Sequence, residues 1–201
     1  MHLTNKIVVV TGASKGIGLA VSQAFAAEGA FVVAGARHNS PELQALEAAG
    51  SAAFIATDLA TPDGPRALIA AAAERGRIDI LVNNAGAVGM RFDGILSVTD
   101  DEWDAALSKE FGPKGIRVNT ISPGPVSTGL WLAEDGVAAK FANASGATPD
   151  DVVASVSAGA PTGRFTTPQE VADLSVFLAS DRSGNTTGSD VRIDGGYVTT
   201  V

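Results

Sequence analysis

The stretch Thr11-Gly12-Ala13-Ser14-Lys15-Gly16-Ile17-Gly18 joins a short β-branched run, Ile7 to Thr11, to an Ala-rich amphipathic segment from Gly16 to Glu28. Glycines at 12, 16 and 18 permit a sharp turn, close approach of a pyrophosphate and tight packing of a helix on a strand, and the free backbone N–H groups of a helix start hold an anion. Placed after a buried strand, this spacing points to a dinucleotide; three spaced glycines alone also suit a structural turn. Asp58 follows a third apolar run, and Asn83-Asn84-Ala85-Gly86 follows a fourth. Asn119 through Pro123-Gly124 to Thr128 follows a fifth, and Asp194-Gly195-Gly196 stands near the end. Asp58 also suits a cap on the next turn, and Asn83-Asn84 a tie from the fourth strand to its neighbours.

Charge bears on the choice of dinucleotide. An acid at the end of the second strand would bind the ribose hydroxyls of NAD, but that strand ends Gly35-Ala36-Arg37-His38 with no carboxylate. Arg37 can pair with a 2′-phosphate, and Lys15 in the glycine turn adds a second cation. Together they favour NADP(H) over NAD(H), against the alternative that both are solvated surface charges.

The elements that must position these residues follow from apolar patterning. Ile7–Thr11, Phe31–Ala34, Ala53–Ala56 and Ile78–Val82 are apolar runs separated by helical segments (Gly16–Glu28, Pro41–Ala49, Pro65–Arg75), and none alternates strictly, which predicts a parallel sheet covered on both faces. Thr99 with Glu102 predicts a capping box at the start of a helix carrying Trp103, Leu107 and Phe111, ended by Gly112-Pro113. Ile116–Ile121 is read as a fifth strand, Val126–Ala147 as short helices over a cleft, Pro168–Ser180 as a helix and Ser189–Ile193 as a last strand. The fold class is therefore α/β, a doubly wound Rossmann-like parallel sheet in three layers, with residues 1–201 as a single dinucleotide-binding domain.

Composition excludes several functions. With 201 residues, 45% of them hydrophobic, the chain suffices for one buried domain. A net charge of −8 argues against nucleic acid or an anionic membrane as partner. There is no cysteine and only His2 and His38, so disulfides, thiolate chemistry and a histidine-rich metal site are not expected. No run reaches the roughly 18 apolar residues of a membrane span, and the start lacks a signal-peptide layout, so a cytoplasmic location is expected.

These motifs, in this order, resemble the short-chain dehydrogenase/reductase family, and the resemblance covers nearly the whole chain. It implies that Gly12, Ser14, Lys15, Gly16, Ile17 and Gly18 line the phosphates, with Arg37 and His38 at the adenosine ribose. Asp58 and Leu59 would meet the adenine, and Asn84, Ala85 and Gly86 would border the adenine ribose. Pro123, Gly124, Val126 and Thr128 would meet the nicotinamide end. It also implies an oxidoreductase acting on a carbonyl or alcohol.

The family's chemistry is done by a Ser, a Tyr-x-x-x-Lys pair and a supporting Asn, and none of these can be placed here. The single tyrosine, Tyr197, lies in the tail, and none of the lysines, at 6, 15, 109, 114 and 140, follows it at four residues. Asp101 to Leu107 looks like the start of the family's helix after the fourth strand, whereas Leu107 to Asn119 looks like the end of the next helix and its strand. The two are fused, so one strand-helix unit is lacking and no catalytic or metal-binding residue is assigned. Ser14, Ser122, Ser127 and Thr128 lie near the expected cleft but have no base or cation beside them in sequence. Three functions follow: an impaired NADP(H)-dependent oxidoreductase; a pseudoenzyme that senses the dinucleotide or pairs with an intact relative; and a deletion product without function. A homodimer would use the C-terminal helix and strand, Pro168 to Val201, and Trp131 and Phe141 fall in what looks like a substrate lid.

Overall fold

The computed structural model describes residues 3–85 and 108–199. These residues fall into two compact units, one formed by residues up to 88 with 172–182, the other by 89–171 with 183–201.

In the first unit, β1 (Ile7–Thr11), β2 (Phe31–Ala36), β3 (Ala52–Ala56) and β4 (Ile78–Val82) form a parallel sheet in the order β3-β2-β1-β4. Successive residues of a strand face opposite sides, and both sides of β1 and β2 are covered. Val8, Val10, Val32 and Ala34 face Val21 and Phe25 of α1 (Gly16–Ala27), Leu43 of α2 (Pro41–Ala48), and Ala172 and Val176 of a later helix. Val9 and Val33 face the other way, onto Leu68 and Ala72 of α3 (Asp63–Ala73). Helix, sheet and helix thus make the three layers, and the doubly buried strands read as continuous apolar runs for that reason. Gly35 is needed in β2 because a Cβ there would stand 2.5 Å from Leu68 Cδ2.

The strands are also tied at their starts. Asp79 accepts hydrogen bonds from the Ile7 N–H (3.0 Å) and from Lys6 Nζ (3.3 Å). Partial burial pushes its pKa up, but these two donors together with Arg77 outweigh that and hold it below the ordinary carboxylate value.

In the second unit, β5 (Asn119–Pro123) and β6 (Ser189–Ile193) pair in parallel as a two-stranded sheet, accompanied by α4 (Gly129–Leu132), α5 (Val137–Ser145) and α6 (Pro149–Gly159). The capping box predicted at Thr99 lies outside the described residues; residues 108–111 are helical and pass through a tight turn, Gly112–Lys114, to Gly115 at φ 75°. Strand β5 begins at Asn119 rather than Ile116, because its start is set by pairing with Ser189 on β6. Before it, the Val118 N–H donates to Thr187 Oγ1 and its carbonyl accepts from Gly188. Helix α6 was not expected. Its start carries a Thr148/Asp151 capping box with Pro149 in the first turn.

Helix α7 (Pro168–Ala179) supplies the Ala172 and Val176 that pack on the first sheet. Its start is capped by Thr167 and Glu170, and Arg164 grips Glu170 with two bonds of 2.9 and 2.6 Å. The Arg164 guanidinium, with Thr167, lowers the Glu170 pKa from 4.5 to about 2. A carboxylate depressed on folding stabilises the fold above its unfolded value and ceases to as pH falls through the folded one. Glu170→Gln is therefore expected to melt below wild type at neutral pH, with the gap narrowing between pH 4.5 and about 2. Thermal melts across that range check it, and a gap independent of pH contradicts it.

Candidate functional site

At the end of β1 the chain turns at Gly12, with φ 66°, and the Ala13 N–H donates to the Gly35 carbonyl of β2 (3.2 Å). Lys15 is the N-cap of α1 and no side chain caps that end, so its first-turn N–H groups face outward as an anion cradle. At Gly12 and Gly18 the turn leaves no room for a Cβ. A Cβ on Gly18 would overlap the Gly12 carbonyl and come within 2.5 Å of Asn84 Nδ2, and one on Gly12 would come within 3.1 Å of Ala85 Cα.

A latch between distant segments holds this geometry. Asn84 Nδ2 donates to the Thr11 carbonyl (3.0 Å), while the Asn84 and Ala85 N–H groups both donate to Thr11 Oγ1 (2.9 Å each), which donates to the Val82 carbonyl. Asn84 therefore ties β4 to β1, with its side-chain amide turned to the backbone. Asp58 likewise has a local role: Oδ1 accepts from the Ala60 N–H (3.0 Å), an Asx turn leading towards α3. Its side chain is exposed, which leaves room for an added donor.

Thr11, Leu59, Asn83 and Ala85 converge on one cleft of about 350 Å³, floored by Leu68 and Ile69 of α3. Leu59 and Ala85, expected from the family pattern near the adenine end, thus share a wall that is mostly apolar, as a flat heterocycle needs. Arg37 and His38 stand exposed after β2, and Lys15 is exposed on the turn. Among the described residues neither Lys15 nor Arg37 is in an ion pair. The residues present fit a dinucleotide: a glycine cradle for the pyrophosphate, an apolar cleft beside it and cations that have no acidic partner among the described residues. Gly86 lies outside the described residues.

The residues expected at the nicotinamide end belong to the second unit. Gly124 donates to the Ile193 carbonyl (3.1 Å) and packs so tightly that a Cβ would stand 2.6 Å from Asp194 Cβ. Val126 is buried and bridges to Thr166, and the Ser127 N–H donates to the Thr166 carbonyl. Thr128 is the N-cap of α4. Asp194 accepts from the Val198 and Gly196 N–H groups, which hold its pKa below the ordinary value against some desolvation. Pro123 to Thr128 is therefore a braced segment, anchored on β6 and on Thr166.

Among the described residues, the hydroxyls expected near the cleft at 122 and 127 are engaged by other groups. Ser122 directs its hydroxyl proton to Asp190 (2.6 Å), and Ser127 directs its own to the Thr166 carbonyl. Tyr197 packs its ring against Gly159, where a Cβ would stand 3.0 Å from it. Of the two aromatic residues expected in a substrate lid, Trp131 stacks edge-on with Phe165 at 5.2 Å, so it is packing, whereas Phe141 is 58% exposed. A second open cleft, of about 460 Å³, lies among Leu132, Glu134, Ala138, Pro149 and Asp150. Among the described residues no cluster suited to a metal ion occurs, and no helix is long and apolar enough to cross a membrane.

The family model for short chain dehydrogenases matches residues 6–108. This chain belongs to the short-chain dehydrogenase/reductase family. A second model of the family, described as enoyl-(acyl carrier protein) reductase, matches residues 105–198. The chain is 31% identical over 264 residues to D-threitol dehydrogenase of Mycolicibacterium smegmatis, covering 98% of this chain and 94% of that one. It is 30% identical over 260 residues to galactitol 2-dehydrogenase of Agrobacterium fabrum, covering 98% of each. Among solved structures, L-sorbose reductase from Gluconobacter frateurii, complexed with NADPH and L-sorbose, is similar with a TM-score of 0.83 at 28% identity, covering 99% of this chain and 98% of that one. An alignment of 264 positions against a chain of 201 leaves at least 63 positions of D-threitol dehydrogenase facing no residue here. The two family models meet at residues 105–108, inside the stretch where the sequence reads as two helices fused.

Proposed function

We propose that this chain is a dinucleotide-binding member of its family that prefers NADP(H) and in which carbonyl reduction is absent or very slow. The observation that carries it is an intact glycine cradle, latched by Thr11 and Asn84, in a sequence with no Tyr-x-x-x-Lys. Gly12, Ser14 to Gly18, Arg37, His38, Asp58, Leu59 and Asn84 to Gly86 would hold the adenine dinucleotide portion, and Pro123 to Thr128 the nicotinamide end. When bound, the nicotinamide supplies or accepts a hydride. The chain's own part is to cradle the pyrophosphate, pair Arg37 and Lys15 with the 2′-phosphate and border the ring; the sequence has no Tyr-x-x-x-Lys pair to move the substrate proton.

The missing strand-helix unit accounts for the chemistry, since the family keeps its Ser, Tyr, Lys and Asn there. The polyol and sugar relatives favour a carbonyl or alcohol as the ligand at the nicotinamide end. A sensor of NADP(H), or a partner of an intact relative, fits the retained cradle better than a functionless deletion product does. A homodimer through Pro168 to Val201 is part of the proposal, with Tyr197 and Val198 half-exposed in that tail; light scattering at tens of micromolar tests it, and a monomer contradicts it.

Cofactor preference is tested at Arg37. Arg37→Ala is expected to weaken NADPH about tenfold in a fluorescence titration and to change NADH little, because a charge-assisted bond to the 2′-phosphate is lost. Equal loss for both dinucleotides would remove the assignment of Arg37 to the 2′-phosphate.

A further inference from the structure

We propose that Glu47, acting through Asn39, is a positioning residue that sets the preference for NADP(H); this rests on the NADP(H) reading above. The loop between β2 and α2 is only four residues long, Arg37 to Ser40, and carries both residues expected at the adenosine ribose. Its shape is fixed from the far side. Asn39 Nδ2 donates to Glu47 Oε2 (2.8 Å), Asn39 Oδ1 accepts from the Ser40 N–H (2.9 Å), and Ser40 Oγ caps α2 by accepting from the Leu43 N–H (3.3 Å).

The second oxygen of Glu47 reaches the sheet. Glu47 Oε1 accepts from the Phe54 N–H of β3 at 2.8 Å, and β3 is the edge strand of its sheet. One carboxylate thereby joins the sheet edge to the cofactor loop, and both its oxygens are engaged. Two consequences follow for a ligand at the end of β2. The loop that presents Arg37 is held in one shape, so a bond from Arg37 to a phosphate is made without ordering the loop first. The acid of this network sits on α2 and is bound there, so the loop itself offers only a cation, Arg37, and neutral side chains to the ribose. Asn39 carries the link as an amide, a donor towards Glu47 and an acceptor towards Ser40, and adds no charge.

Moving the charge separates positioning from support. In the double variant Asn39→Asp with Glu47→Gln the net charge is unchanged. The amide introduced on α2 can still accept from the Phe54 N–H and donate to the carboxylate introduced on the loop, and that carboxylate can still accept from the Ser40 N–H. The negative charge now lies on the loop, two residues from Arg37, where it pairs with the guanidinium and repels a 2′-phosphate.

The experiment titrates NADPH and NADH by fluorescence against wild type, Glu47→Ala and the double variant, with a thermal melt of each. Wild type should prefer NADPH. Glu47→Ala should lose roughly five- to tenfold in NADPH affinity and less than about twofold in NADH. The double variant should melt near wild type yet lose at least about tenfold of the preference. If the melts fall but the ratio of the two affinities stays constant in both variants, Glu47 is a support only and the proposal is overturned. If wild type itself shows no preference, the NADP(H) reading fails and this inference fails with it. Should Glu47→Ala not fold, the double variant decides alone.

Discussion

Purified protein should leave NADPH unoxidised in the presence of simple ketones, aldehydes and keto sugars. Enzymes commonly turn over at roughly 1–10³ s⁻¹, and a positioned acid or base contributes about 10²–10⁴ of that. Here the Tyr-x-x-x-Lys pair that the family resemblance implies is absent from the sequence. Tyr197 is bedded on Gly159 with no lysine four residues on, Ser122 is bound to Asp190 and Ser127 to a backbone carbonyl. The expected rate is at least about a thousandfold below that of an ordinary enzyme of the family. Absorbance of NADPH over hours of incubation reads it, and turnover within about thirtyfold of ordinary enzymes would show that other residues have taken over.

Gly18→Ala should cost the protein its dinucleotide binding. The added methyl overlaps the Gly12 carbonyl and presses on Asn84 Nδ2, so the turn and the latch to β4 must both give way. Forcing a group into a packed site costs about 1–3 kcal/mol, and the same displacement spoils the array of N–H groups that cradles the pyrophosphate. NADPH affinity should fall at least about tenfold, with a lower melting temperature. Gly112→Ala, where an added Cβ meets nothing within 4 Å, is the matched control and should change neither. Unchanged binding by Gly18→Ala would mean that the dinucleotide is held elsewhere.

What the sequence disclosed and what it hid divide along a physical line. Strands β1, β4 and β6 have the bounds expected of them: β1 and β4 are mainly apolar runs closed by residues that favour turns, and β6 alternates polar and apolar residues before Asp194-Gly195-Gly196. Strand β5 starts three residues later than expected because its limits depend on pairing with β6, a contact across 70 residues. Helix α6 has no buried residue, and its apolar positions, Val152, Val153 and Val156, are few and only half-buried, so its Thr148-Pro149-x-Asp151 start is its clearest mark. The glycine cradle was legible from spacing and from its place after a strand. Its latch was legible only in part: a tie from Asn83-Asn84 to neighbouring strands is one of the two readings the sequence allows, but no motif marks Thr11 as the partner, because the two meet across 73 residues. The same holds for Glu47, whose role comes from Asn39 and the edge of β3 rather than from any motif. Family resemblance located the missing chemistry because absence of Tyr-x-x-x-Lys is a fact of sequence.

The proposed function is dinucleotide binding by the glycine cradle in a chain without Tyr-x-x-x-Lys, and equilibrium titration of wild-type protein with NADPH, followed by cofactor fluorescence, tests it most directly. It predicts saturable binding below about 1 mM, tighter than for NADH, without loss of NADPH over time. No binding at about 1 mM NADPH would contradict it and leave the chain a folded remnant of its family.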